Sequence, residues 1–258
     1  MRDLNTFWVS TVARTGSMWA TNIIREILKY SNFNVLPKVL LKSDSACVEF
    51  YKNDGLLDKN KQNKYVFKIH SKIDRIPPGS KVITTVRNPY DICASFHEFM
   101  KCDLYTSIDS ALLLLDFYNH YKKLEKDVFV IKYEEIENTP GLLIKNLSSF
   151  CEVKLSEDNI KHIIRKYEKN NVKKLIEKND LNLKKSFSEN KKIDEDKIVK
   201  DANGNIRSYD LDTGFQSGHI SSRKTGDWMK VFSEEEKNII IKKIDKVAVD
   251  LGYKSENN

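Results

Sequence analysis

The strongest constraint on this chain is a junction near its start. Residues 6–12 form a short β-branched and aromatic run, Thr15-Gly16-Ser17 is a tight turn, and Met18, Ile23, Ile24, Ile27 and Leu28 then recur at helical spacing. That is a strand, a loop and an amphipathic helix in immediate succession. Strand-like runs follow at 65–69, 81–86 and 128–132, with helical patterns over 91–101 and 108–126. Thr139-Pro140 predicts a helix start with proline in its first turn, running to about Phe150, and Ser233-Glu234-Glu235-Glu236 is a capping box for a last helix through Val249. Strands alternating with helices pair in parallel through helical crossovers. The pattern therefore predicts an α/β fold, a three-layer sandwich with a central, mainly parallel sheet and helices on both faces. Two segments break the rhythm, at about 34–64 and 170–218, the second rich in Lys, Asn and Asp with a turn at Asn203-Gly204. Both read as long loops or small helical insertions at the mouth of a site, inside one domain spanning 1–258.

Charge narrows the partners. The 258 residues carry 44 Lys and Arg against 37 Asp and Glu, a net +7, yet ten lysines and six acids lie between 169 and 200, so over half of the excess sits in one polar stretch. A solvated face explains that stretch, and the near balance elsewhere argues against a nucleic-acid stripe while mildly favouring small anionic ligands or an acidic acceptor. Cys47, Cys93, Cys102 and Cys151 form no CxxC pair and have no nearby His at zinc spacing, so reduced thiols and no metal site are expected. The longest apolar run, 111–115, is far short of the roughly 20 residues of a spanning helix, and the start of the chain lacks a signal peptide's apolar core. The expectation is a cytoplasmic protein without a membrane anchor.

Four constellations carry chemistry. Arg14-Thr15-Gly16-Ser17-Met18-Trp19 lies between the first strand and helix, where free backbone N–H groups, a helix dipole, two hydroxyls and the Arg14 charge suit a phosphate or sulfate. No GK[ST] follows, so the nucleoside-triphosphate reading lacks its cation. Arg87 ends a strand and Ser95 lies two turns into the next helix, so both can converge on one phosphate, with a local Arg87–Asp91 ion pair as the alternative. Lys68 and His70 share one side of a strand that ends at His70, which places a general base where open α/β sheets bind ligands. Gly218 to Trp228 is a polar, basic segment before the last helix, either a cover for an anionic ligand or an exposed linker.

Together these four resemble the cytosolic-type sulfotransferases, which move a sulfuryl group from 3′-phosphoadenosine 5′-phosphosulfate (PAPS) to an acceptor on a P-loop NTPase-like fold. Arg14 to Trp19 stands in the place of the family's Y-P-K-S-G-T-T-W motif, which binds the 5′-phosphosulfate. Arg87 to Ser95 reproduces R-N-P/A-x-D-x-x-x-S, the 3′-phosphate motif, at full spacing. Lys68-Ile69-His70 is similar to the K-T-H strand end that carries the base, Tyr133-Glu134-Glu135 to a Y-E-D element, and Arg223-Lys224-Thr225-Gly226-Asp227-Trp228 to R-K-G-x-x-G-D-W. The departures are Arg14 in place of the motif's Lys, Met18 in place of a hydroxyl residue, and a late loop two residues shorter.

The resemblance implies His70 as base, with Lys68, Arg14 and the helix N-terminus facing the leaving oxygen. It implies Arg14, Thr15, Gly16, Ser17 and Met18 on the phosphosulfate, Arg87 and Ser95 on the 3′-phosphate with Arg223, Lys224 and Thr225 nearby, and Trp19 and Tyr133 around adenine. PAP is the implied product, and no metal is required. The acceptor is open among small molecules, saccharides and peptides, with no nucleic-acid or membrane partner expected and a homodimer left open. A small-molecule P-loop kinase and a non-catalytic nucleotide- or nucleic-acid-binding module are the alternatives.

Overall fold

The computed structural model describes residues 4–201, 204–221 and 223–256; Asn203 of the expected turn and Ser222 of the late segment lie outside the described residues. A five-stranded sheet is built from β1 (Thr6–Ser10), β2 (Asn34–Leu36), β3 (Asn63–Ile69), β4 (Ser80–Val86) and β5 (Val128–Lys132) in the order β2-β3-β1-β4-β5, every pairing parallel. β1 lies at the centre, with Trp8 opposite Phe67 on one side and Val82 on the other.

The pleat divides the core into two layers. Trp8, Tyr65, Phe67, Ile69 and Val82 point into one cluster; Phe7, Val9, Val66 and Ile83 point into the other. The first cluster is closed by α2 (Asp44–Phe50), α3 (Pro89–Met100), α4 (Leu104–Lys122) and α9 (Glu234–Asp250), and the second by α1 (Ser17–Tyr30), α6 (Pro140–Phe150), α7 (Glu157–Tyr167) and α8 (Lys169–Ser188). β1 is buried along its whole length because both faces are covered, which is why it reads as an apolar run without alternation. The three-layer α/β sandwich expected from the sequence is the fold observed.

The capping box at Ser233 is formed, its hydroxyl accepting from the Glu236 N–H while Glu236 reaches back to the Ser233 N–H. Pro140 opens α6 as expected, but Thr139 makes no side-chain cap. The two segments read as long loops or small helical insertions hold regular elements. Residues 34–64 hold the edge strand β2, α2 and a π turn over Tyr51–Gly55; residues 170–218 hold nearly all of the twenty-residue α8 and a hairpin of β6 (Ile198–Lys200) and β7 (Ile206–Ser208). Val172 and Ile176 bury α8 against the second cluster, one turn apart on a helix otherwise dominated by Lys and Asn.

Candidate active site

Residues following the carboxyl ends of four strands meet at one edge of the sheet: Thr11 after β1, His70 after β3, Arg87 after β4 and Tyr133 after β5. Between β1 and α1 the chain makes the expected loop. Gly16 adopts φ +97°, and a Cβ there would stand 2.9 Å from Ile136 Cδ1 and 3.1 Å from the Tyr133 ring, so only glycine fits without displacing α5 (Tyr133–Asn138). The first N–H groups of α1 have no partner within the helix and open toward the edge. Thr15 behaves differently from expectation. Its hydroxyl is fully buried, donates to the Val12 carbonyl at 2.7 Å and joins the hydroxyls of Thr11 and Thr85, so it fastens the loop to β4 and is not presented to a ligand.

His70 is set up as a base. The ring nitrogen Nδ1 lies 2.8 Å from the Thr11 carbonyl, which can only accept, so Nδ1 carries the proton and Nε2 the lone pair. Lys68 Nζ lies 2.9 Å from that Nε2. The peptide N–H of His70 is held by both carboxylate oxygens of Asp44, at 3.0 Å each, from the first turn of α2. Although the His70 side chain reaches solvent, loss of surrounding water in the crevice, and then the neighbouring Lys68, pull its pKa down to about 4, so the ring is neutral through the physiological range. Lys68 is itself shifted down by burial.

A cluster of guanidinium groups lies beside the loop. Arg14, at φ +70°, donates through Nε to Ser95 Oγ at 3.0 Å and through Nη2 to the His219 carbonyl at 3.3 Å, and its guanidinium lies 4.1 Å from the Phe99 ring centre. Arg87 donates to the Arg14 carbonyl at 3.1 Å and stacks on Tyr133 at 4.2 Å, while its buried Nε has no hydrogen-bond partner among the described residues. Burial, then Arg87, and after these Arg207 and Arg223, bring Arg14 down to about 10, as expected where guanidinium groups converge. Ser95 is buried and engaged by the Arg14 side chain, and the Arg14 carbonyl accepts from Arg87, so Arg14 stands between the two residues expected to converge on one phosphate.

The Arg87–Asp91 ion pair considered from sequence is not formed among the described residues. Asp91 accepts instead from the Gly226 N–H at 2.8 Å, and Trp228 stacks on Tyr90 with ring centres 4.8 Å apart, so the start of α3 anchors the late segment. Within that segment Arg223 is bound by Glu98 at 2.8 Å, Thr225 donates to Glu137 at 2.6 Å, and Lys224 is exposed. Ser17 and Met18 open α1, and Trp19 packs half-buried against the second cluster.

Sequence reasoning missed Asp44, Phe99, Arg207 and the part played by His219. His219 is driven far below its ordinary pKa by burial and then by Arg14 and Lys68, which brings it electrostatically into the crevice of His70. Its only signal in the sequence was its place in the Gly-punctuated late segment. Asp44 and Arg207 lie in the two segments whose polar composition carries no periodic pattern.

A model of the sulfotransferase domain matches residues 4–209. No curated protein sequence matches the chain. Among solved structures, retinol dehydratase in complex with androsterone and inactive cofactor PAP superposes with a TM-score of 0.60 at 14% identity, covering 99% of this chain and 84% of the other. Mouse sulfotransferase SULT7A1 complexed with PAP gives 0.61 at 15% identity, covering 96% and 88%. These two show the shared fold, and the family match over most of the sequence decides the rest: the chain belongs to the sulfotransferase family, and sulfuryl transfer is its chemistry.

Proposed function

We propose that the chain transfers the sulfuryl group of PAPS to a hydroxyl of a small-molecule acceptor and releases PAP, with His70 as general base. The observation that carries this is the His70 ring: protonated at Nδ1 against the Thr11 carbonyl, lone pair on Nε2, Lys68 alongside, one loop away from the α1 N-terminus. The site fits such a donor. Arg87 Nε is buried with no hydrogen-bond partner among the described residues, the Arg87 charge presses on Arg14, and the glycine loop presents N–H groups beside them. Solved relatives of the same fold hold PAP with androsterone or retinol, which supports a nucleotide donor and a small acceptor.

In this reading His70 Nε2 takes the acceptor's hydroxyl proton as the acceptor oxygen bonds to sulfur. The bond between sulfur and the bridging oxygen breaks, and its electron pair leaves with the 5′-phosphate. Lys68 turns from Nε2 to the sulfuryl and bridging oxygens, and the N–H groups of Gly16, Ser17 and Met18 hold the phosphosulfate. Arg87 and the Arg14–Ser95 pair face the nucleotide's phosphates, Tyr133 steadies Arg87, and Trp19 lies toward the base. The absence of a GK[ST] sequence and the family match favour this over a P-loop kinase or a binding module. A His70→Ala variant is expected to bind PAP normally by calorimetry and to lose about 10²- to 10⁴-fold in kcat. Full activity in that variant would remove His70 from the mechanism.

A further inference from the structure

Beside the Gly16 loop a pocket of about 440 Å³ opens between α3 and the segment after β7, with Arg14, Ser95, Phe99, Arg207, Ser217 and Ser221 in its wall. We propose that Arg207, from the small hairpin, binds the 3′-phosphate of the donor nucleotide in the place expected for Arg223 and Lys224. The proposal rests on the PAPS reading above and assigns a specificity residue within it.

Three observations carry the assignment. First, neither of the late segment's own cations stands in the pocket wall: Arg223 pairs with Glu98, which does line it, and Lys224 is exposed. Second, Arg207 is held rather than mobile. Its side chain is 14% exposed, its guanidinium lies 4.5 Å from the Phe99 ring centre, and Nη2 donates to the Phe99 carbonyl at 2.8 Å and to Asp201 at 2.9 Å. Both bonds use one terminal nitrogen, which leaves Nη1 and Nε of the fork for a phosphate. Third, Arg14 shares the same Phe99 ring and is bonded to Ser95, so two guanidiniums and the Ser95 and Ser221 hydroxyls, with Lys101 in the same wall, enclose one small volume; the Ser217 hydroxyl is committed to Asp180. Two positive groups over one aromatic ring, with hydroxyls around them and one carboxylate already neutralised by Arg223, form a receptor for a dianion.

The test is the ratio of affinities for adenosine 3′,5′-bisphosphate and adenosine 5′-monophosphate, measured by calorimetry on the full chain. The wild type is expected to prefer the bisphosphate. Arg207→Gln is expected to weaken the bisphosphate about 10- to 100-fold and the monophosphate less than about twofold, so that the preference collapses. Arg207→Lys keeps a charge in the pocket, guards against loss of the hairpin, and is expected to fall between the two. Lys224→Ala is expected to keep the wild-type ratio. A wild-type ratio retained in both Arg207 variants, equal weakening of both nucleotides, or collapse of the ratio in Lys224→Ala overturns the assignment of Arg207. A wild type that binds neither nucleotide, or binds both alike, overturns the PAPS reading itself.

Discussion

Replacing Lys68 by methionine removes a positive charge 2.9 Å from the nitrogen that accepts the substrate proton. In the wild type the His70 pKa is brought down to about 4 first by loss of water and second by Lys68. A unit charge at that distance is worth ~1.4 kcal/mol even at the dielectric of bulk water, about one pKa unit, and because His70 reaches solvent the screened value is the appropriate one. Lys68→Met is therefore expected to raise the His70 pKa from about 4 to about 5, leaving the desolvation part in place. The direction of the effect on rate follows from the protonation state. His70 works only when neutral, so kcat/KM falls as pH drops through its pKa, and the acidic limb of the variant must lie at higher pH than that of the wild type. Stability moves in the same window. Between about pH 4 and the ordinary imidazole value of about 6.5, the unfolded chain binds a proton that native His70 refuses, so this group makes stability rise with pH there. The assay is kcat/KM for sulfuryl transfer across about pH 3.5 to 9, paired with an NMR titration of the His70 ring. Limbs that coincide, or a variant limb displaced toward acid, would refute the claim that Lys68 acts on His70. Lys68→Met also removes a cation from the leaving oxygen, so kcat on the neutral plateau is expected to drop about 10²- to 10³-fold, a loss separable from the displaced limb.

Gly16→Ala places a side chain at φ +97° against Ile136, costing about 1–3 kcal/mol of stability and displacing the loop, so denaturant melts and PAP calorimetry are both expected to register it. Thr85→Val leaves the buried Thr11 and Thr15 hydroxyls short of a partner and is expected to lower stability by about 1–3 kcal/mol in urea titrations; an unchanged midpoint would mean that this hydroxyl cluster does not fasten the loop. Trp228→Ala empties a fully buried site stacked on Tyr90 and is expected to cost about 3–5 kcal/mol, with weaker PAP binding because the late segment loses its anchor to α3. Asp44→Ala, which frees the His70 peptide, is expected to lower kcat about 10-fold with KM for the donor unchanged, and Asp44→Asn to recover part of it; equal changes in both constants would make Asp44 merely structural.

The central strands and the motifs at their ends were legible because these strands are buried on both faces, and β1 and β4 each lead into a helix with apolar residues at regular spacing, as in Ile23, Ile24, Ile27 and Leu28 of α1. The base was legible for the same reason: Lys68 and His70 fall on one side at a strand end. What escaped was carried by sparse contacts. α8 reaches the core chiefly through Val172 and Ile176 among lysines and asparagines, and β2 is three residues long. The side-chain partners were less legible still, because they join residues far apart in sequence. Asp91 to Gly226, Arg14 to Ser95 and Arg207 to Phe99 each depend on the packed fold, and local spacing offered only Arg87 as an alternative partner for Asp91.

One helix face ties the two irregular segments to each other. Arg25 of α1 holds the carbonyls of Pro37 and Lys38, Asn22 holds that of Thr213, and between them the Leu40 N–H bonds to the Leu211 carbonyl while Lys42 caps the carbonyls of Glu195 and Ile198. Exchange of one segment alone for that of a relative would sever these backbone bonds and expose the buried Arg25. A graft that carries both segments together with the Asn22–Arg25 turn keeps the joint whole, which makes that trio the unit that has to move together when either segment is exchanged.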